Sequence, residues 1–454
     1  MEKQKILVPC VEFKSLSNFG DLGKKIYNLV YSLNYSLDIS VVFPYYKTIF
    51  DKIEIIPNKI HEIKIHNLLF KFYHYKKDNI DFYFISNEYF FDNREFIYDS
   101  ENIVRFTLFS LCVFELIKIL EFKASILLND WHLGILPVIL KINNYKNRFL
   151  LTIHNFEHQG ISEPEILKTA NISYKYFYSG ELEFYGKVNF LKCGIDYSDK
   201  IIIKSNDFFE EIKIKNSSTK FIEDIIKKNE SKIEYIPQSI DKEYSPEYNK
   251  MIYKNYSKNS IENKVYCKLK LQNDLNFQSH TEIPILIIPA FNLTKYEILL
   301  LNMIVEYLVI MEIQIIILSY NLSDFEQKIK NYSFSSNCSA VSLDPSDEEF
   351  HKVFSGADMI LDISFDFSNK NILKKALRYG VIPITFRESS ELETENIHFK
   401  IFDFTRINLI NTIKYTINRY YYLEKWNERI VKAIGLDFSL EKESNQYLKI
   451  IENG

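Results

Sequence analysis

The sequence predicts an α/β protein of two doubly wound domains facing a central crevice. Three observations carry that expectation. Short apolar runs of strand length alternate with helical tracts in both halves of the chain, the pattern of parallel sheets covered on both faces. At 454 residues the chain is longer than one hydrophobic core organises. Two buried strands, 126–129 and 149–153, each end in a polar cluster and are joined by a crossover long enough for one helix. Ligands in such folds bind outside the carboxyl ends of the strands, so function is expected at Asp130, His132 and His154.

Taken in order, residues 5–8 read as a strand, and Gly20 and Asp21 open an amphipathic helix through Ile26, Leu29, Val30 and Leu33. A second strand spans 39–43 and stops at Pro44. From 53 to 85 the residues alternate as in antiparallel hairpins, with 53–56 and 82–85 as strands of an insertion in the sheet. Residues 103–120 are apolar on a helical period, so Val104, Phe106, Phe109, Cys112 and Leu116 are expected in the core. After the two central strands, 182–193 reads as an amphipathic helix, 199–205 as a buried strand with a polar turn, 206–231 as charged helix and 233–236 as a strand. The first domain is expected over 1–243. A polar connection with one helix near 267–272 follows over 244–283. The second domain is expected over 284–430. Its strands, 284–288, 313–318, 340–343, 359–363 and 382–385, alternate with helices 298–310, 325–330, 348–354 and 371–379. A helical tract, 409–433, carries Trp426, and 431–454 is expected as a helical tail.

Composition narrows the function. A hydrophobic fraction of 46% suits a folded core, and a net charge of -4 offers no field for a nucleic-acid backbone. The five cysteines are odd in number and scattered through apolar patterns, which points to free thiols in a reducing compartment and away from disulfides or zinc. His61 and His158 have no ligand-type partners in sequence, so neither a metal nor a cofactor is expected. No apolar stretch is long enough to span a bilayer, and a cytoplasmic protein is the simplest reading. Only 11 glycines occur, against a usual share of roughly 7%. None lies between Gly194 and Gly356, which excludes a Gly-rich phosphate cradle there.

Three ordered segments carry a resemblance: Asp130-Trp-His-Leu-Gly134 with Pro137, Thr152-Ile-His-Asn155 with Gln159-Gly160, and Glu183-Phe-Tyr-Gly-Lys-Val-Asn-Phe-Leu-Lys-Cys-Gly194. They resemble blocks of the bacterial glycogen synthases and plant starch synthases, two-domain GT-B glycosyltransferases that use ADP-glucose. Shorter matches, among them Arg105-Phe106, Asn255-Tyr-Ser257 and Ala376-Leu-Arg-Tyr-Gly380, extend the resemblance over almost the full length. It implies glucosyl transfer from ADP-glucose to an α-1,4-glucan with retention of configuration. It also implies that Gly20, Asp21, Asp130, His132, His154 and Asn155 lie on the substrate side, with His154 on the donor sugar. Such chemistry needs cations and N–H groups aimed at the leaving diphosphate.

Four family elements serve that diphosphate, and each departs here. The family's Lys-Thr-Gly-Gly-Leu-Gly-Asp loop reads Ser15-Leu-Ser-Asn-Phe-Gly-Asp21, without the lysine and two of the glycines. Its Ser-Arg-Leu-x-x-Gln-Lys-Gly reads Ala290-Phe-Asn-Leu-Thr-Lys-Tyr-Glu297, which puts Phe291 at the arginine and Tyr296 at the lysine; Lys295 is a candidate substitute. Its Glu-Pro-Cys-Gly-Leu-Thr reads Phe367-Ser-Asn-Lys-Asn-Ile372, with Asp366 beside the glutamate position. Its Thr-Gly-Gly-Leu reads Glu388-Ser-Ser-Glu391, where carboxylates repel a diphosphate.

Each retained residue also has a plain structural reading. His154 would cap a strand end, Asp130 and His132 would fix a turn, and Asp21 would sit on a helix dipole. The leading expectation is a synthase homologue whose donor site has decayed to weak or absent activity, a pseudoenzyme that binds α-glucan or regulates. An active glycosyltransferase with altered nucleotide-sugar use, through Lys295, Asp366 or Arg387, is the first alternative. A structural partner of an active synthase is the second.

Overall fold

The computed structural model describes residues 3–14, 21–46, 57–94, 96–204, 221–290, 293–319, 324–333, 339–343, 346–364, 370–386 and 397–453. Two compact units divide the chain: Met1–Gln238 with Leu440–Gly454, and Ser239–Ser439.

In chain order, the strands of the first unit are β1 (Lys5–Pro9), β2 (Asp38–Pro44), β3 (Asn58–Ile65), β4 (Leu68–Lys77), β5 (Ile80–Ser86), β6 (Ser125–Asn129), β7 (Phe149–Ile153), β8 (Ile161–Ser162), β9 (Glu183–Phe184), β10 (Lys187–Asn189), β11 (Lys200–Ile203) and β12 (Ile233–Tyr235). Nine of them form one sheet in the order β12-β11-β7-β6-β1-β2-β5-β4-β3. It is parallel from β12 to β5 and antiparallel where the β3–β4 hairpin is added. The chain runs outward from β1 through β2 to β5, then returns to lay β6 against the other side of β1. Strand order therefore reverses between β1 and β6, which is where a doubly wound sheet opens a ligand crevice. Every residue of β6 and β7 is buried, because both faces are covered and the strands read as unbroken apolar runs.

The main helices of this unit are α1 (Asp21–Leu33), α2 (Asn102–Ile119), α3 (Leu136–Ile142) and α4 (Phe190–Tyr197). On α2, Phe106, Phe109, Cys112 and Leu116 are buried as expected, whereas Val104 is 38% exposed, since its neighbour Arg105 takes the inward-facing place in the first turn. The expected helix over 182–193 begins only at Phe190. The residues before it form the β9–β10 hairpin, since Tyr185 and Gly186 take positive φ and reverse the chain. Asn189 then caps α4 by accepting from the Lys192 N–H at 2.9 Å. The C-terminal helix Leu440–Glu452 packs on α1, with Ser32 bonded to Ser444 at 2.8 Å, and Arg148 donates to the Ile450 and Ile451 carbonyls. The expected strand 53–56 lies outside the described residues.

Among the described residues, the second unit holds a six-stranded parallel sheet of β13 (Ile285–Pro289), β14 (Gln314–Leu318), β15 (Ser339–Leu343), β16 (Met359–Asp362), β17 (Ile382–Thr385) and β18 (Phe399–Lys400). Its order, β15-β14-β13-β16-β17-β18, is the 3-2-1-4-5-6 arrangement of dinucleotide-binding folds. Helices α5 (Lys264–Asp274), α6 (Lys295–Val309), α7 (Asp324–Ser333), α8 (Asp347–Gly356), α9 (Lys370–Arg378), α10 (Arg406–Tyr420) and α11 (Leu423–Gly435) complete it. Residues 244–283 are built into this unit: Tyr244, Tyr256, Cys267 and Leu271 are buried in its core. Lys264, buried, caps two helices at once by donating to Phe354 and Ser355 at the end of α8 and to Tyr379 just past α9. The architecture is thus α/β with two doubly wound units. Cys10, Cys112, Cys193 and Cys267 are buried free thiols.

Candidate functional site

The first unit gathers its polar groups where strand order reverses. β6 ends in Asn129, and the next residue, Asp130, turns the chain with a φ of +52°, a conformation aspartate tolerates better than most residues. Its amide bonds to Thr152 O at 2.8 Å, and its carboxylate accepts the His154 N–H at 2.7 Å. Asp130 thus extends the tie between β6 and β7 past the last paired residues, through its amide and its carboxylate. Asn129 Oδ1 meets His154 Nε2 at 3.2 Å, while Asn129 Nδ2 is buried without a partner among the described residues. His132 stacks on Trp131 with centroids 4.6 Å apart and bonds Tyr98 Oη at 3.0 Å.

Tyr98 also donates to Glu12, a carboxylate only 3% exposed just beyond β1. The other oxygen of Glu12 accepts the Gly23 N–H, in the first turn of α1, at 3.3 Å. Gly23 allows this approach, because a Cβ there would lie 3.1 Å from Glu12 Cβ. Asp130, His132, His154 and Asn155 are therefore brought together. Asp130 and His132 are buried, His154 is half-buried, and Asn155 lies exposed on the turn after β7. Asp21 starts α1 as an exposed carboxylate paired with Lys25 at 2.7 Å. In the second unit Lys295 and Tyr296 open α6 and are exposed. Gly20, Phe291, Asp366, Phe367, Arg387 and the 388–391 segment lie outside the described residues.

Burial sets the protonation of the cluster. It pushes the Asp130 carboxyl up to about 7, against the His154 and Asn155 N–H groups that favour the ionised form. It pushes His132 down to about 4 and holds His154 well below the usual imidazole value, helped by the Lys25 and Lys204 charges. Both histidines are neutral near pH 7. A carboxyl whose folded pKa is raised contributes stability at low pH and loses it as pH climbs from the ordinary carboxylate value to about 7. Replacing Asp130 by asparagine keeps an acceptor for the His154 N–H and removes that loss. The urea midpoint of Asp130→Asn minus that of the native chain should therefore rise across this window; a flat difference would contradict the assignment.

Beside this cluster a recess of about 340 Å³ is lined by Asp99, Asn102, Trp131, Glu157, His158 and Gln159, among others. Indole with carboxylates and amides is a lining suited to a sugar, whose C–H face is apolar and whose rim is hydroxyl.

The comparisons agree with this geometry. The family model for the starch synthase catalytic domain matches residues 5–228. The glycogen synthase of Caldicellulosiruptor bescii is 30% identical over 476 residues, covering 99% of both chains. The chain belongs to the glycogen synthase family. The glycogen synthase of Clostridioides difficile is 28% identical, with 98% of each chain covered. Among solved structures, the catalytic domain of starch synthase IV from Arabidopsis thaliana, bound to ADP and acarbose, superposes with a TM-score of 0.75 at 17% identity over 100% of this chain and 99% of that one. The two units are accordingly those of a GT-B glycosyltransferase. Among the described residues of this glycogen synthase family member, no helix is long and apolar enough to cross a membrane.

Two carboxylates in this family member were not singled out from sequence. Glu12 stands alone in the apolar run Val11-Glu12-Phe13, and a lone acid at a strand end is itself a signal. Glu297 closes a Thr-x-x-Glu capping box at the start of α6, a pattern readable in sequence. Its carboxylate accepts the Thr294 N–H at 2.5 Å, Thr294 Oγ1 accepts the Glu297 N–H at 3.3 Å, and Glu297 is 1% exposed.

Proposed function

We propose that this chain holds α-glucan through its first unit and transfers glucose from a nucleotide sugar weakly or not at all. The observation that carries the reading is shared by both units. In each, the helix that follows the first strand starts where phosphate binds in doubly wound folds, and in each a buried glutamate of the chain itself takes an N–H there. Glu12 takes Gly23 on α1, and Glu297 takes Thr294 on α6. A fixed carboxylate repels an incoming diphosphate and consumes a donor it would need. The departures from the family's lysine and arginine positions point the same way. The Trp131 recess, with its carboxylates and amides, supports retention of the glucan side, and the starch synthase relative is one with acarbose bound.

Purified protein given ADP-glucose and glycogen should release ADP far below ordinary synthase rates, yet shift in a native gel that contains glycogen. Turnover at synthase rates would sink the reading. Lys295, an exposed cation at the first position of α6, favours the second reading of an active enzyme with altered donor use. That reading requires thermal stabilisation by some nucleotide sugar, lost in Lys295→Ala.

A further inference from the structure

We infer that Tyr185 and Phe221 form a second contact for an α-glucan chain, continuing from the recess beside Trp131. The inference rests on the glucan reading above. β9 and β10 are joined by the two-residue turn Tyr185-Gly186, with φ of +48° and +79°. Positive φ at both central positions is the I′ geometry, which favours Asn-Gly because a bulky side chain crowds the backbone in the left-handed region. Phe221 has a φ of +69°. Two aromatic residues thus hold an unfavourable backbone, and neither gains by burial, since each is 71% exposed. Their rings lie together with centroids 5.6 Å apart. Strain at exposed side chains that gain little inside the fold points to a ligand outside it.

The surroundings select the occupant. Stacking on an aromatic ring suits the C–H face of a pyranose, whose hydroxyl rim then needs donors and acceptors. Lys187, next along the hairpin, is paired with Glu163 at 2.6 Å, and both side chains are exposed. The small sheet leads from the rings to the recess: Ile161, part of the recess wall, pairs with Asn189 on β10, and β10 runs back to the Tyr185 turn. A chain seated beside Trp131 by one end would meet the aromatic pair with units further along. A short oligosaccharide would not reach it.

Tyr185→Asn separates binding from structure, because asparagine suits the turn and relieves the strain. Calorimetric titration of the full chain with a two-unit and a seven-unit α-1,4-glucan is the test. The variant should melt at or above the native temperature and bind the seven-unit glucan about threefold or more weakly, with two-unit binding unchanged. Tyr35→Asn, at a position 88% exposed in the turn before β2, should leave both unchanged. Native seven-unit affinity in Tyr185→Asn overturns the inference and leaves the glucan reading intact. Loss of self-association with unchanged glucan binding would assign the pair to a second copy and also overturn it. A native chain that binds neither glucan overturns both.

Discussion

Gly134→Ala is expected to abolish stable folding of the first unit. A Cβ at this position would lie 1.9 Å from the Phe190 carbonyl oxygen and 2.7 Å from its carbon. Both are backbone atoms at the start of α4, so no side chain can rotate to make room. The last residue of the Asp130-Trp-His-Leu-Gly134 motif is thus a contact surface for the third motif. Gly194 completes the contact, since a Cβ there would approach Gly134 Cα at 3.3 Å, and Gly160 comes so close to Trp131 that a Cβ would meet its ring at 2.3 Å. Three motifs far apart in sequence are held together by glycines. Moving α4 away would open the packing of α4 on α3 and β7, a loss of about 4 kcal/mol or more, which is comparable to the whole stability of many domains. Gly435→Ala, with nothing within 4 Å of its added Cβ, is the matched control and should melt like the native chain. A urea midpoint for Gly134→Ala within about 1 kcal/mol of native would show that the backbone gives way more easily than the contact implies.

Local pattern was enough to find β6, β7 and the polar residues at their ends, because buried parallel strands read as continuous apolar runs. Their meeting follows from one register, Asn129 opposite Thr152, which places Asp130 within reach of the His154 amide. The reading failed where apolar spacing served two periods. Over 182–193 it suits a helix, but Tyr185-Gly186 is a turn, and the preceding pair Glu183-Phe184 is bonded to β10 instead. Glu12 and Tyr98 were hidden for a different reason. Their contact joins residues 86 positions apart, Glu12 just beyond β1 and Tyr98 on the segment between β5 and α2, and nothing local to either residue announces it. The resemblance, read from sequence, puts Phe291 and Tyr296 at positions where the family carries an arginine and a lysine. The Thr-x-x-Glu box that sets Glu297 on α6 was readable in sequence, whereas the contact of Glu12 with the Gly23 N–H is visible only when side chains are placed.

Arg105→Met is expected to cost about 3–5 kcal/mol and to disorganise the site from below. Arg105 is fully buried in α2. Its Nε donates to Phe90 O at 2.9 Å, and its Nη1 donates to Ile97 O and to the Asp99 carboxylate at 3.0 Å each. These bonds pin the segment between β5 and α2, which delivers Tyr98 to Glu12 and His132. Methionine fills similar volume but leaves two carbonyls without that donor and removes one of the two arginines on Asp99. Arg94, the other, also reaches Asp99 at 3.0 Å, but from a partly exposed position where water screens it. Lysine should not rescue, because one ammonium cannot reproduce a planar fork aimed at three acceptors. Urea melts measure the first effect; the second appears as weaker glucan binding in whatever fraction remains folded, since Asp99 and Trp131 both line the recess. Tyr98→Phe separates the two. It removes the hydroxyl bonded to Glu12 and His132 and spares the Arg105 contacts, so it should leave most of the stability in place. If Arg105→Met melts with Tyr98→Phe, the guanidinium only fills space, and the buried network around Glu12 is held by packing alone.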